Sequence, residues 1–107
     1  QVNTSAEPSK FGIMPEQIRP FFDQVASLDR VAICGLMTIA RFSTDPETCR
    51  PYFRQLRALM AQVSEQNYPN FQAKYLSMGM SNDFEVAIEE GANLVRIGTS
   101  IFGNRPS

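Results

Sequence analysis

Leu76-Ser77-Met78-Gly79-Met80-Ser81-Asn82-Asp83 and, after one short helical stretch, Val95-Arg96-Ile97-Gly98-Thr99-Ser100-Ile101-Phe102-Gly103 decide how this chain is read. Each is an apolar strand that runs directly into small residues rich in free backbone N–H groups. Adjacent parallel strands that end this way form a cup for a phosphate. Between them, Asn82 with Glu85 three residues on forms a capping box, and Gly91 fits the stop of a two-turn helix. Ala73 to Met80 is therefore one strand and Leu94 to Ile97 the last.

Upstream, the same alternation continues. Val31 to Met37 is a continuous apolar run without period-two alternation, which predicts a parallel strand buried on both faces. Asp45-Pro46-Glu47 is a helix start, and Phe53, Leu56, Met60 and Val63 carry that helix towards Tyr68-Pro69. Pro51 either begins its regular part or kinks it. Pro15 suits a first helical position, with Ile18, Phe21, Phe22, Val25 and Leu28 at helical spacing. Pro20 predicts an irregular first turn or a later start. Val2 to Ser9 is polar and loop-like and opens as though a strand ended just before it.

Strands alternating with helices give an α/β fold of parallel βαβ units, in a barrel or an open sheet. A closed eight-stranded barrel takes roughly 250 residues. This chain of 107 residues supplies three strands and the loop after a fourth. So few strands cannot close, and their edges expose unpaired backbone. The expected architecture is one domain, residues 1–107, forming part of a barrel; the alternative is a small open sheet complete in itself.

Composition narrows the function classes. A net charge of −1 gives no broad attraction to nucleic acid or an anionic membrane. No apolar run reaches transmembrane length, and no signal-peptide layout opens the chain. Asn3-Thr4-Ser5 matches a glycosylation sequon, read as chance in the absence of that layout. With no histidine and only two cysteines, Cys34 and Cys49, no transition-metal site is expected, and the cysteines read as reduced thiols. The expected location is cytoplasmic.

Alternation along the last strand puts Val95 and Ile97 on one face and Arg96 on the other. In a barrel, Arg96 points inward near the mouth, where its permanent charge needs an acceptor. Gly98 lets backbone approach a ligand, and Thr99 adds an N–H and a hydroxyl. Ser81 either caps the following helix or offers its hydroxyl to a phosphate. Two alternatives stay open: Arg96 pairs with a carboxylate at the mouth, and Gly79 and Gly98 mark only a bulge and a turn.

Leu-Ser-Met-Gly-Met-Ser-x-Asp (76–83), Ala87-Ile88 before Gly91, and Val-Arg-Ile-Gly-Thr-x-Ile-Phe-Gly-x-Arg (95–105) resemble the C-terminal signature of the pyridoxal phosphate homeostasis protein family. Gly35-Leu36-Met37-Thr38-Ile39, Gln1 to Ser5, and Lys10-Phe11-Gly12 resemble further segments of it. The resemblance implies the C-terminal half of a TIM (β/α)8 barrel of the alanine racemase N-terminal type. It implies that Ser81, Gly98 and Thr99 hold the phosphate of pyridoxal 5'-phosphate, with Arg96 facing the pyridine nitrogen. A phosphate or sulfate ion could occupy the same place.

The family's Schiff-base lysine lies on an early strand in a Val-Ser-Lys type segment. Here only Lys10 and Lys74 exist, and neither has that context. The implied partner is thus the missing N-terminal half of the barrel that carries the lysine, the full-length protein being a monomer. Racemases of this fold carry a histidine in the segment where Ile39 stands. The expectation is accordingly a non-enzymatic carrier or regulator of vitamin B6. The alternatives are a fold-related amino-acid racemase, a generic phosphate-binding barrel fragment, or a folding unit that holds only an anion.

Overall fold

The computed structural model describes residues 1–5, 12–40 and 44–98. Parallel strands alternate with helices, as the sequence pattern requires. Pro15–Gln17 form a 3-10 turn leading into α1 (Ile18–Val25), followed by β1 (Ile33–Met37). Pro46–Cys49 form a second 3-10 turn leading into α2 (Arg50–Glu65), then β2 (Phe71–Ser77) and α3 (Phe84–Glu89).

Local chemistry explains these boundaries. Pro20 falls in the first turn of α1, where a missing N–H costs little, and the irregular turn it predicts is the 3-10 segment before it. Asp45 caps its helix by accepting from the Glu47 N–H at 3.1 Å, and Pro51 opens the regular part of α2. Asn67, with φ 53°, turns the chain out of α2 ahead of Pro69. Gly91, with φ +109°, ends the α3 segment as expected.

β1 and β2 pair in parallel, with Leu36 opposite Leu76 and Met37 opposite Ser77. The ladder continues outward on both sides. Val2 N–H donates to the Met37 carbonyl at 2.7 Å, so the chain's opening residues lie against β1. Met78 N–H donates to the Leu94 carbonyl at 3.1 Å, which lays the segment after α3 against β2. The spatial order is therefore opening segment, β1, β2, closing segment. Among the described residues the closing segment makes one bridge, Leu94 with Ser77, while the bridge of Val2 is to Ile13, so the expected strand over Leu94–Ile97 is reduced to one bridge at Leu94. The strand expected over Ala73–Met80 begins and ends earlier, at Phe71 and Ser77.

The core lies between the sheet and the helices, where Phe22, Phe53, Leu56, Leu36, Leu76 and Met78 pack. Each fully buried Phe or Leu side chain contributes about 1.5–3 kcal/mol. Phe22 anchors α1, stacking on Tyr68 at 5.4 Å and meeting Phe71 edge-on at 5.2 Å. Two expectations are corrected. Phe21, Leu28 and Val31 are exposed: α1 ends at Val25 and β1 starts at Ile33, so they lie off the buried stripe or outside the elements. The apolar run of β1 is not buried on both faces either. Leu36 is buried while Gly35 and Met37 are half-buried, because the helices cover one face of the sheet. On the other face Tyr75 is 43% exposed.

An ionic clamp holds α3 against the start of α2. Arg50 bridges Glu47, Glu89 and Glu90, and Arg54 also reaches Glu90 at 3.0 Å. The guanidinium of Arg50 holds the Glu47 and Glu90 carboxyls below their ordinary range.

Candidate functional site

Four segments converge at the C-terminal ends of the strands: residues 2–4, 37–40, 77–83 and 94–98. Parallel pairing alone brings them together, since each follows or extends a neighbouring strand position. The turn after β2 requires its glycine. Gly79 has φ +108°, and a Cβ there would lie 2.7 Å from the Ala87 Cβ on α3. Gly79 is thus a tight helix–turn contact and not a bulge.

Backbone and hydroxyl groups stitch this turn to the last segment. Arg96 N–H donates to the Gly79 carbonyl at 2.9 Å. Gly98 N–H donates to the Ser81 hydroxyl oxygen at 3.1 Å. Ser81 and Gly98, chosen from sequence as members of one cup, are therefore direct neighbours. Among the described residues nothing lies within 4 Å of the position a Cβ would take at Gly98. Thr99, the remaining expected member, lies outside the described residues, as does Lys10.

Arg96 turns inward as the alternation predicts, while Val95 lies towards Gly79 and α3. Its Nη2 passes across the end of β2 and donates to the Thr38 carbonyl at 3.0 Å. Its Nε and Nη1 are buried and find no acceptor among the described residues. Burial pulls the guanidinium pKa down, opposed by the charge of Asp83. The guanidinium stays charged regardless, so the arrangement presents two desolvated donors of fixed positive charge. The carboxylate pairing left open by the sequence takes the form of a through-space attraction to Asp83.

Thr38 and Asp83 support the site, and sequence reasoning did not single either out. Thr38 is fully buried; its hydroxyl donates to the Val2 carbonyl at 2.8 Å and lies 2.8 Å from the Thr4 hydroxyl. It ties the opening segment to the carbonyl that holds Arg96. Asp83 accepts from the Met80 N–H at 2.7 Å. This is capping-box chemistry two residues earlier than the expected Asn82–Glu85 pair, and the N-cap of α3 is Asp83 itself. The Ser81-x-Asp83 spacing was the available signal. Cys49, fully buried, is hydrogen-bonded to Asp83, and burial together with that charge pushes its thiol up to about 11.

Ser81 also borders a groove of about 220 Å³ with Glu47, Asp83 and Glu85. Three carboxylates disfavour an anion in that groove. Neither Cys34 nor Cys49 is in a disulfide. Among the described residues no helix is long and apolar enough to cross a membrane, and no cluster of potential metal ligands occurs. Lys74 lies within β2, exposed, its Nζ over the Tyr75 ring at 5.4 Å.

Comparison with known proteins places this geometry in context. Residues 1–106 match the family model described as alanine racemase, N-terminal domain. The pyridoxal phosphate homeostasis protein of Aquifex aeolicus is 48% identical over 105 residues, covering 98% of this chain and 45% of the relative. That of Vibrio cholerae is 45% identical, with 98% and 43% covered. A solved structure of PipY from Synechococcus elongatus with PLP bound superposes with a TM-score of 0.80 at 34% identity, covering 95% of this chain and 47% of that one. The chain thus spans less than half the length of the relatives it matches.

Proposed function

We infer that this chain, which belongs to the alanine racemase N-terminal domain family, carries the phosphate- and pyridine-facing half of a pyridoxal 5'-phosphate site. It is the C-terminal half of a TIM barrel whose complementary half brings the lysine for the aldehyde. The function is binding and homeostasis of the cofactor in the cytoplasm, a compartment that suits two cysteines outside any disulfide. It is not catalysis.

Arg96 carries the inference. Two buried guanidinium nitrogens without an acceptor among the described residues cost free energy that a ring nitrogen at that place would recover in part. The residues present fit the group: Arg96 addresses the ring, while Gly98, Ser81 and Thr99 form the phosphate end. α3 has only six residues, so the Ser81 and Thr99 hydroxyls and the Thr99 N–H supply the donors rather than a helix dipole, with Gly98 leaving room for the phosphate. When bound, pyridoxal phosphate supplies an aldehyde that captures amines and a ring that withdraws electrons. A fixed cation at the ring nitrogen keeps that nitrogen unprotonated and weakens the withdrawal. This favours storage and delivery over carbanion chemistry.

The test compares this chain with a version completed by the portion of the Aquifex aeolicus relative that it does not cover. The completed protein should capture pyridoxal phosphate covalently, seen as an absorbance change and, after borohydride reduction, as added mass. The chain alone should not. Ser81→Ala and Thr99→Ala in the completed protein should each weaken binding by about 1–3 kcal/mol, roughly 5- to 150-fold. Unchanged affinity in both sinks the site assignment. Racemisation of alanine by the completed protein would favour the enzyme alternative, and absence of capture in both chains the generic phosphate one.

A further inference from the structure

We propose that Asp83 is the positioning residue of this site, the group that locks the turn on which both Arg96 and Gly98 hang. The inference rests on the functional reading above only for the identity of the ligand; the lock itself is a matter of geometry. Asp83 is 5% exposed, yet its carboxylate is well supplied: it accepts from the Met80 N–H at 2.7 Å and is hydrogen-bonded to the buried Cys49. The Asp83 N–H donates back to the Met80 carbonyl at 3.1 Å, closing a reciprocal pair around residues 80–83.

That pair fixes the two groups through which the turn holds the last segment. The Gly79 carbonyl, immediately before it, receives the Arg96 N–H at 2.9 Å. The Ser81 hydroxyl, inside it, receives the Gly98 N–H at 3.1 Å. The segment 95–98 has no regular strand of its own and a single bridge to β2, at Leu94. Beyond that bridge these two bonds hold its backbone to the turn, and the Arg96 side chain is tied separately to the Thr38 carbonyl. Asp83 also supplies the negative charge that faces the Arg96 guanidinium. Cys49 supports it from the start of α2, so the lock is anchored in the core and not in the loop.

Two variants separate the clamp from the charge. Asp83→Ala removes both. Asp83→Asn keeps an oxygen that accepts from Met80 and removes the charge. In this chain, hydrogen exchange of the Met80, Arg96 and Gly98 amides should speed up at least tenfold in Asp83→Ala and by less than threefold in Asp83→Asn. In the completed protein, Asp83→Ala should bind pyridoxal phosphate at least tenfold more weakly and move the absorbance maximum of the bound cofactor, with Asp83→Asn recovering affinity to within threefold. A role in stability alone would lower the melting temperature and leave the absorbance maximum in place. Should Asp83→Ala fail to fold, Asp83→Ser, polar but too short to clamp Met80, takes its place under the same expectations. Unchanged exchange at Arg96 and Gly98 in the clampless variant overturns the proposal, as does Asp83→Asn behaving like Asp83→Ala. Failure of the unsubstituted completed protein to bind the cofactor instead sinks the functional reading and leaves the exchange result standing.

Discussion

Arg96→Met should leave the cofactor-free protein as stable as before or more so, while abolishing cofactor retention. The balance follows from the hydrogen bonds. Arg96 makes one side-chain bond, to the Thr38 carbonyl, of about 1.5–3 kcal/mol for a charged donor. Against it stand two buried guanidinium nitrogens without acceptors among the described residues, at about 1–3 kcal/mol each. Methionine keeps most of the apolar stem and discards all three terms. Central values favour the variant by about 2 kcal/mol; the half-buried position of Arg96, the stranded Thr38 carbonyl and the lost attraction to Asp83 reduce this to about 1 kcal/mol. In a domain of this size that raises the melting temperature by roughly 4 °C. Circular dichroism melts without cofactor measure the first half, and titration of the completed protein with pyridoxal phosphate the second. A fall in melting temperature of several degrees in the cofactor-free state would refute the reasoning, since it would mean that Arg96 is a structural cation already satisfied by the fold. Retained cofactor affinity would refute the role at the ring.

Gly79→Ala should cost about 2 kcal/mol or more in a denaturant melt, because φ +108° and a Cβ 2.7 Å from Ala87 leave no relaxed arrangement; a neutral result would contradict the packing of the turn on α3. Acid should loosen the α2–α3 clamp. Glu47 and Glu90 have pKa values held below their unfolded ones by Arg50, so their stabilisation is present above the ordinary value of 4.5 and is lost as pH falls through the lowered values. Arg50→Gln should flatten that acid limb of a stability-versus-pH curve. Thiol labelling should separate the cysteines: iodoacetamide should add one label to the native chain, at half-buried Cys34, and two after denaturation, because Cys49 is fully buried and its thiol is pushed up to about 11. Two labels on the native chain would contradict the burial of Cys49.

Much of this was legible along the chain. The parallel α/β alternation, the Asp45 cap, the Gly91 stop and the inward turn of Arg96 all follow from interactions within a few residues or from strict period-two alternation. So does the adjacency of Ser81 and Gly98, because loops after consecutive parallel strands must be neighbours. Expectations missed where a residue's environment depends on what covers it. Val31, Phe21 and Leu28 are apolar by type and exposed by position, and the sequence holds no mark of which apolar residues the helices leave uncovered.

What the sequence by itself determined is which chemical groups reach the strand ends: a permanent cation, a hydroxyl and a glycine. Those are local facts, set by residue type and spacing. Only the tertiary structure decided how they are held. The Thr38 carbonyl under Arg96 and the support that Cys49 gives to Asp83 join positions far apart in sequence, and such pairings come into being only when β1, β2 and α2 pack. The two unanswered donors of Arg96 belong to that level as well, since whether a donor is satisfied depends on every atom that folding brings near it.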